Sequence, residues 1–211
     1  MTPERPPVAV LGGTFDPVHN GHIALAMAVR DAIGAEQAWL IPAHAPALRP
    51  EPEVTAPIRL AMAEAAVRDL RGMHVMDTEL RRGGVSHTLD TLEAIEAARP
   101  ELQAWWILGA DAVRHIGSWH RSDELRAVIH LVVVQRAGAA HFDEAEADSL
   151  GLDPARTRVL DLTPPPVSAT DVRRRILAGE PIDGLVPPAV AGIIAARGLY
   201  RSDRGAIMDV G

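Results

Sequence analysis

The sequence predicts an α/β fold, a doubly wound parallel sheet with helices on both faces and a small C-terminal helical part. Three observations predict it. Short apolar runs alternate with helical stretches along the chain, the order expected of strands joined through crossover helices. The runs are continuously apolar, as parallel strands buried on both faces are. The length of 211 residues, with 47% hydrophobic, supplies the core of one large domain.

The elements follow in order. Residues 8–11 (Val-Ala-Val-Leu) read as a buried strand ended by Gly12 and Gly13. A helix is expected over 20–33, with Asn20 as its candidate N-cap and Gly34 as its stop. Residues 38–41 form a second strand, closed by Pro42. Residues 43–57 carry Pro46, Pro50, Pro52 and Pro57 and make a loop longer than the usual connection, which marks a functional segment. Residues 58–70 show an apolar helical face through Leu60, Ala63, Val67 and Leu70. A strand over 73–76, a helix over 88–98 ended by Pro100, and strands over 104–108 and 129–134 come next. Residues 141–155 are acidic and read as a loop or a short helix, before a short strand over 158–160. Helices over 168–178 and 187–197 finish the pattern, the second stopped by Gly198. Residues 1–200 thus form a single domain whose helical part spans about 168–200, and 201–211 read as a flexible tail.

Composition narrows the function. With 21 basic and 28 acidic residues the net charge is −7, a poor balance for neutralising the phosphates of long nucleic acid. There is no cysteine, which removes disulfides, zinc–thiolate sites, Fe–S clusters and thiol nucleophiles together. No run approaches the ~18–20 apolar residues of a membrane span. Residues 1–7, with Glu4, Arg5 and three prolines, do not read as a secretory signal. The expectation is a cytoplasmic protein, with no membrane or nucleic-acid partner; homo-oligomerisation is compatible with the sequence.

In a doubly wound sheet, ligands sit outside the carboxyl ends of the strands, so the loops that follow strands deserve the closest reading. The first is Gly12-Gly-Thr-Phe-Asp-Pro-Val-His-Asn-Gly-His22. It is neither the G-x-G-x-x-G fingerprint nor a P-loop. It still has the physics of a phosphate site: Gly12 and Gly13 admit close backbone approach, and the helix behind them points its free N–H groups and positive dipole end at the loop. His19 and His22, three apart at a helix start, share one face and can donate to phosphoryl oxygens. The competing reading is a pair of capping histidines with no ligand.

Other strand-following loops add candidates. Ser168 and Thr170 open a helix, with Arg173 one turn in, so hydroxyls, N–H groups and a guanidinium could hold an anion; an ordinary N-cap serine is the alternative. Asp111, at a strand end, could accept from ribose hydroxyls or an adenine amino group, or cap a helix. Trp39, Trp105 and Trp106 lie in strands and read as packing. Trp119, beside His120, Arg121 and Ser122, is a poor core residue and could stack on a flat ring.

At these residues the chain resembles a known family. The first loop is similar to the hallmark of the nucleotidyltransferase superfamily with an His-x-Gly-His motif, and most closely to bacterial nicotinate-nucleotide adenylyltransferases. Ser86-His-Thr88-Leu-Asp-Thr91-Leu, Ile107-Leu-Gly109-Ala-Asp111 followed by Trp119, Val167-Ser168-Ala-Thr170-Asp-Val-Arg173 and Gly198-Leu-Tyr200 match that family's later motifs in order. The resemblance spans about residues 8–200 and implies a Rossmann-like sheet. The activity it implies is adenylyl transfer from ATP to nicotinate mononucleotide, giving deamido-NAD and pyrophosphate in NAD biosynthesis. It further implies that His19 and His22 contact the α- and β-phosphates, and that Thr14 with the backbone of Gly12, Gly13 and Phe15 holds the acceptor phosphate or the α-phosphate. Ser168, Thr170 and Arg173 would hold the β,γ end. Asp111 and Arg136 would contact the nucleotide. Trp119 would stack on nicotinate, with backbone N–H groups of Thr88 and His120 on its carboxylate. Mg²⁺ would be held by the nucleotide phosphates, with no protein cage of its own. The chain departs from the family's pattern at Leu48, where a histidine is frequent before the basic Arg49, and at His87 and His120, where tyrosines are usual. Rival readings are an adenylyltransferase for nicotinamide mononucleotide or phosphopantetheine, and a non-catalytic nucleotide sensor on the same fold.

Overall fold

A computed structural model describes residues 5–47, 50–135 and 141–201. Eight strands run in chain order: β1 (Pro7–Gly13), β2 (Gln37–Pro42), β3 (Ala45–Pro46), β4 (Met73–Val75), β5 (Val85–Ser86), β6 (Gln103–Gly109), β7 (His130–Gln135) and β8 (Thr157–Asp161). The α-helices are α1 (Asn20–Ala32), α2 (Ala56–Val67), α3 (Thr78–Arg82), α4 (Thr88–Ala98), α5 (Ala110–Val113), α6 (Ser122–Val128), α7 (Glu144–Ser149), α8 (Ala169–Leu177) and α9 (Pro188–Arg197).

Six strands form one sheet in the order β4-β2-β1-β6-β7-β8, every neighbouring pair parallel. The chain builds outward from β1 to β2 and β4, then returns to β6 on the other side and continues to β7 and β8. The direction of winding therefore reverses between β1 and β6, and in such sheets ligands usually sit beyond the carboxyl ends of the strands at that point. The doubly wound parallel sheet expected from the alternating pattern is therefore what forms. Each face buries its own core. Trp105 and Trp106, adjacent in β6, point to opposite faces because side chains alternate along a strand. One face packs Ala9, Leu11, Trp105 and Ile107 against α1, α2, α8 and α9; the other packs Val8, Val10, Trp39 and Trp106 against α4–α7. As expected, Trp39, Trp105 and Trp106 are all buried.

Four details correct the sequence reading. The N-cap of α1 is His19, not Asn20; the Asn20 side chain instead donates to the carbonyl of Gly184 at 2.8 Å. The buried stripe of α2 runs through Arg59, Met62, Ala63, Ala66 and Val67, so Leu60 is only half-buried, and the helix stops at Val67, which leaves Leu70 beyond its end. Asp111 does not cap a helix: Gly109 is the N-cap of α5 and Asp111 lies in its first turn. The 43–57 loop is not wholly irregular, since β3 pairs with β5 in a second small sheet, in register Ala45 with Val85 and Pro46 with Ser86. No described helix is long and apolar enough to cross a membrane.

Candidate active site

The first loop leaves β1 and turns sharply into α1. Phe15 is held at φ 51°, a left-handed conformation that costs a residue with a Cβ about 1–2 kcal/mol. Its ring is 2% exposed, and burial of that ring offsets the strain. The Asp16–Pro17 peptide is cis. Gly12 packs directly on Trp106, where a Cβ would lie 2.7 Å from the ring and force a shift, whereas a Cβ on Gly13 would make a tight contact of 3.1 Å with the Phe15 ring.

At the start of α1 two histidines cap each other. The His22 N–H donates to His19 Nδ1 and the His19 N–H donates to His22 Nδ1, both at 3.3 Å. Each Nδ1 is thereby an acceptor, so a neutral ring carries its proton on Nε2. The rings stack at 3.6 Å and 19°, and the edge of Phe15 packs on His22 at 4.9 Å. His19 is 6% exposed, and burial lowers its pKa from the usual imidazole value to about 4. Capping and ligand binding, opposed in the sequence reading, use different nitrogens of the same rings and so are compatible. Gly21 fits closely between them, since a Cβ there would sit 3.1 Å from His19 Nδ1 and 3.2 Å from the carbonyl of Pro165. That contact also brings the loop before α8 up to the histidine pair.

Below the loop lies a network that sequence reasoning did not single out. Arg59 is 1% exposed and donates to three backbone carbonyls: Thr14 at 2.6 Å, His44 at 2.9 Å and Val54 at 3.3 Å. Asp16, also buried, accepts from Tyr200 Oη at 2.6 Å and from the Glu53 N–H at 2.7 Å. Burial and Asp16 together push the Tyr200 phenol well up. Two signals were readable: a lone arginine inside the apolar run of α2, and the terminal Gly198-Leu-Tyr200. Among the described residues, Thr14 Oγ1 is the buried side-chain polar atom without a hydrogen-bond partner, which costs of order 1–3 kcal/mol until something supplies one.

Ser168 caps α8, accepting from the Asp171 N–H at 3.1 Å; Ser168 and Thr170 are exposed at its first turn. Arg173 reaches back to the first loop. Its Nη1 donates to the Asp16 carbonyl at 2.7 Å and its Nε to Glu53. The structure thus brings His19, His22, Thr14 and Arg173 together at the carboxyl end of β1.

The remaining candidates form a second group. Thr88 is the first residue of α4, behind His87. Trp119 follows a short 3₁₀ turn and is half-buried. The His87 and His120 rings stack at 4.3 Å, joining the two segments. Arg121 reinforces the join through Glu93 of α4 at 3.1 Å, and is itself steadied by its neighbour Glu124 at 2.8 Å. The His44 N–H donates to Ser86 Oγ at 2.9 Å, linking this group to the Arg59 network. Asp111 is fully exposed and ion-paired to Arg114 at 3.2 Å, apart from both groups' contacts. Arg136, Leu48 and Arg49 lie outside the described residues.

Comparison with known proteins bears on the family and the fold. A family model described as cytidylyltransferase-like matches residues 10–175. A relative from Bordetella pertussis, named "Probable nicotinate-nucleotide adenylyltransferase", is 38% identical over 195 residues, covering 92% of this chain and 98% of its own. One of the same name from Aeromonas hydrophila is 36% identical over 210 residues, covering 93% and 98%. A solved structure, "Plasmodium falciparum nicotinic acid mononucleotide adenylyltransferase complexed with NaAD", superposes with a TM-score of 0.75 over 92% of this chain and 97% of that one. Its sequence identity is 16%, so that likeness concerns the fold.

Proposed function

We propose, because this chain belongs to the cytidylyltransferase-like family and to the nicotinate-nucleotide adenylyltransferases, that it transfers the adenylyl group of ATP to nicotinate mononucleotide in NAD biosynthesis. An oxygen of the mononucleotide 5′-phosphate attacks the α-phosphorus of ATP. The bond from that phosphorus to the bridging oxygen breaks, the electron pair leaves with pyrophosphate, and deamido-NAD forms. The protein need not form a covalent intermediate. Its task is to align two anions that repel one another and to stabilise the charge that shifts to the leaving group.

The observation that carries this reading is the reciprocal cap of His19 and His22, which commits both Nδ1 atoms to the backbone and so puts the proton of each neutral ring on Nε2. In this reading those N–H groups serve the α- and β-phosphate oxygens. Thr14, with its orphaned hydroxyl, and the backbone of Gly12, Gly13 and Phe15 serve the acceptor phosphate or the α-phosphate. Ser168, Thr170 and Arg173 serve the β,γ end. The stacked His87–His120 pair supports a shared role in which the backbone N–H groups of Thr88 and His120 serve the nicotinate carboxylate and the Trp119 indole stacks on its ring. Asp111 and Arg136 are assigned to the nucleotide on resemblance alone. The Asp16 carboxylate accepts from Tyr200 Oη and from the Glu53 N–H. Mg²⁺ enters with ATP, on the phosphate oxygens. The cytoplasm is the compartment this reading expects.

The test is pyrophosphate release with ATP and each of nicotinate mononucleotide, nicotinamide mononucleotide and phosphopantetheine. The nicotinate compound is expected to be turned over fastest. Nucleotide binding with no pyrophosphate from any acceptor would overturn the reading in favour of a sensor.

A further inference from the structure

Arg173 is assigned above to the β,γ end of ATP, yet in this structure a carboxylate from the chain itself occupies it. Nε and one Nη form the edge of a guanidinium that forks an oxyanion. On Arg173 the Nε is committed to Glu53 Oε1, while Nη1 holds the Asp16 carbonyl at 2.7 Å. The Glu53 backbone is anchored separately, through its N–H to Asp16 Oδ2 at 2.7 Å. Its side chain is 42% exposed, against 25% for Arg173. The carboxylate can therefore swing into solvent without disturbing the backbone beneath it. Asp16, held in turn by Tyr200, keeps that backbone in place.

We infer that Glu53 is an affinity-setting residue for the polyphosphate: its carboxylate competes for Arg173, yields to the β,γ-phosphates when ATP binds, and returns as pyrophosphate leaves. The physical basis is simple. One guanidinium edge cannot satisfy a carboxylate and a phosphate at once, and two anions on one cation repel each other. The apparent affinity for polyphosphate is reduced by whatever the Glu53–Arg173 pair contributes in the free protein. The same contribution is regained on product release, so Glu53 offsets part of the cost of separating pyrophosphate from a cationic site. This rests on the assignment of Arg173 to the triphosphate.

The test is Glu53→Gln in the full chain, which keeps the backbone N–H to Asp16 and removes only the charge. Binding of ATP and of inorganic pyrophosphate is measured by calorimetry for wild type and variant, with KM for ATP and the inhibition constant of pyrophosphate alongside. The expected result is tighter binding of both by about twofold to fivefold, the range carried by a partly exposed ion pair. Glu53→Ala should shift both constants the same way. Unchanged or weaker binding in both variants overturns the inference, since a bracing role for Glu53 would loosen Arg173 and weaken binding. If wild type binds ATP but releases no pyrophosphate with any acceptor, it is the functional reading that fails, and the calorimetric comparison still decides the competition between Glu53 and polyphosphate.

Discussion

Replacing His19 by Asn separates its role as a helix cap from its titration. Asn supplies an N-cap oxygen, so the first turn of α1 keeps an acceptor. What is lost is an imidazole whose pKa burial lowers to about 4. About a pH unit or more above 6.5, a histidine of this kind is neutral in both folded and unfolded chains and adds no pH dependence. Below that value the unfolded chain takes up a proton that the folded chain refuses, so stability falls as pH falls, and the loss is complete only below about pH 4. Between pH 7.5 and 4.5 the shift corresponds to about 2–3 kcal/mol of lost stability from this one ring. Urea unfolding of wild type and His19→Asn at pH 7.5, 6.0 and 4.5 reads it directly. Titrating groups remote from the substituted ring contribute equally to both proteins and cancel in the difference. Wild type is expected to lose about 2–3 kcal/mol more than the variant over this range. Parallel losses in the two proteins would refute the claim that burial holds the ring neutral.

The other expectations concern activity and the network under the loop. His22→Ala should lower kcat by about 10²–10³-fold, the usual cost of one charge-stabilising donor, as measured by pyrophosphate release; near wild-type turnover would remove His22 from the mechanism. Trp119→Ala should raise KM for nicotinate mononucleotide more than KM for ATP, and equal effects would argue against ring stacking. Arg59→Met should destabilise the fold by about 3–5 kcal/mol in urea titrations, because the carbonyls of Thr14, His44 and Val54 lose a buried charged donor together. A loss below about 1 kcal/mol would mean that those carbonyls find other partners.

The parallel sheet was legible because its strands are buried on both faces and therefore read as unbroken apolar runs. That His19 and His22 lie side by side was legible from their three-residue spacing at a helix start, but the reciprocal cap that pairs them was not, since it depends on His19 standing outside the helix in extended backbone. The smaller elements were not. β3 and β5 are two residues each and depend on pairing across 40 positions, which no local pattern encodes. The α2 stripe was misjudged because hydrophobicity assigned the core face, whereas Arg59 takes an inward position to serve backbone carbonyls on three segments.

By itself, the order of residues determined the strand–helix alternation, the donor-rich loop after β1 and the chemistry that loop can perform, since each depends on neighbours within one or two turns. Only the tertiary structure decided that Tyr200 braces Asp16 across 184 positions, that Arg173 is met by Glu53, and that His87 and His120 join two separate segments. The reason is that buried polar groups must find partners wherever the fold supplies them, and those partners come from chain segments too remote for any periodicity to connect.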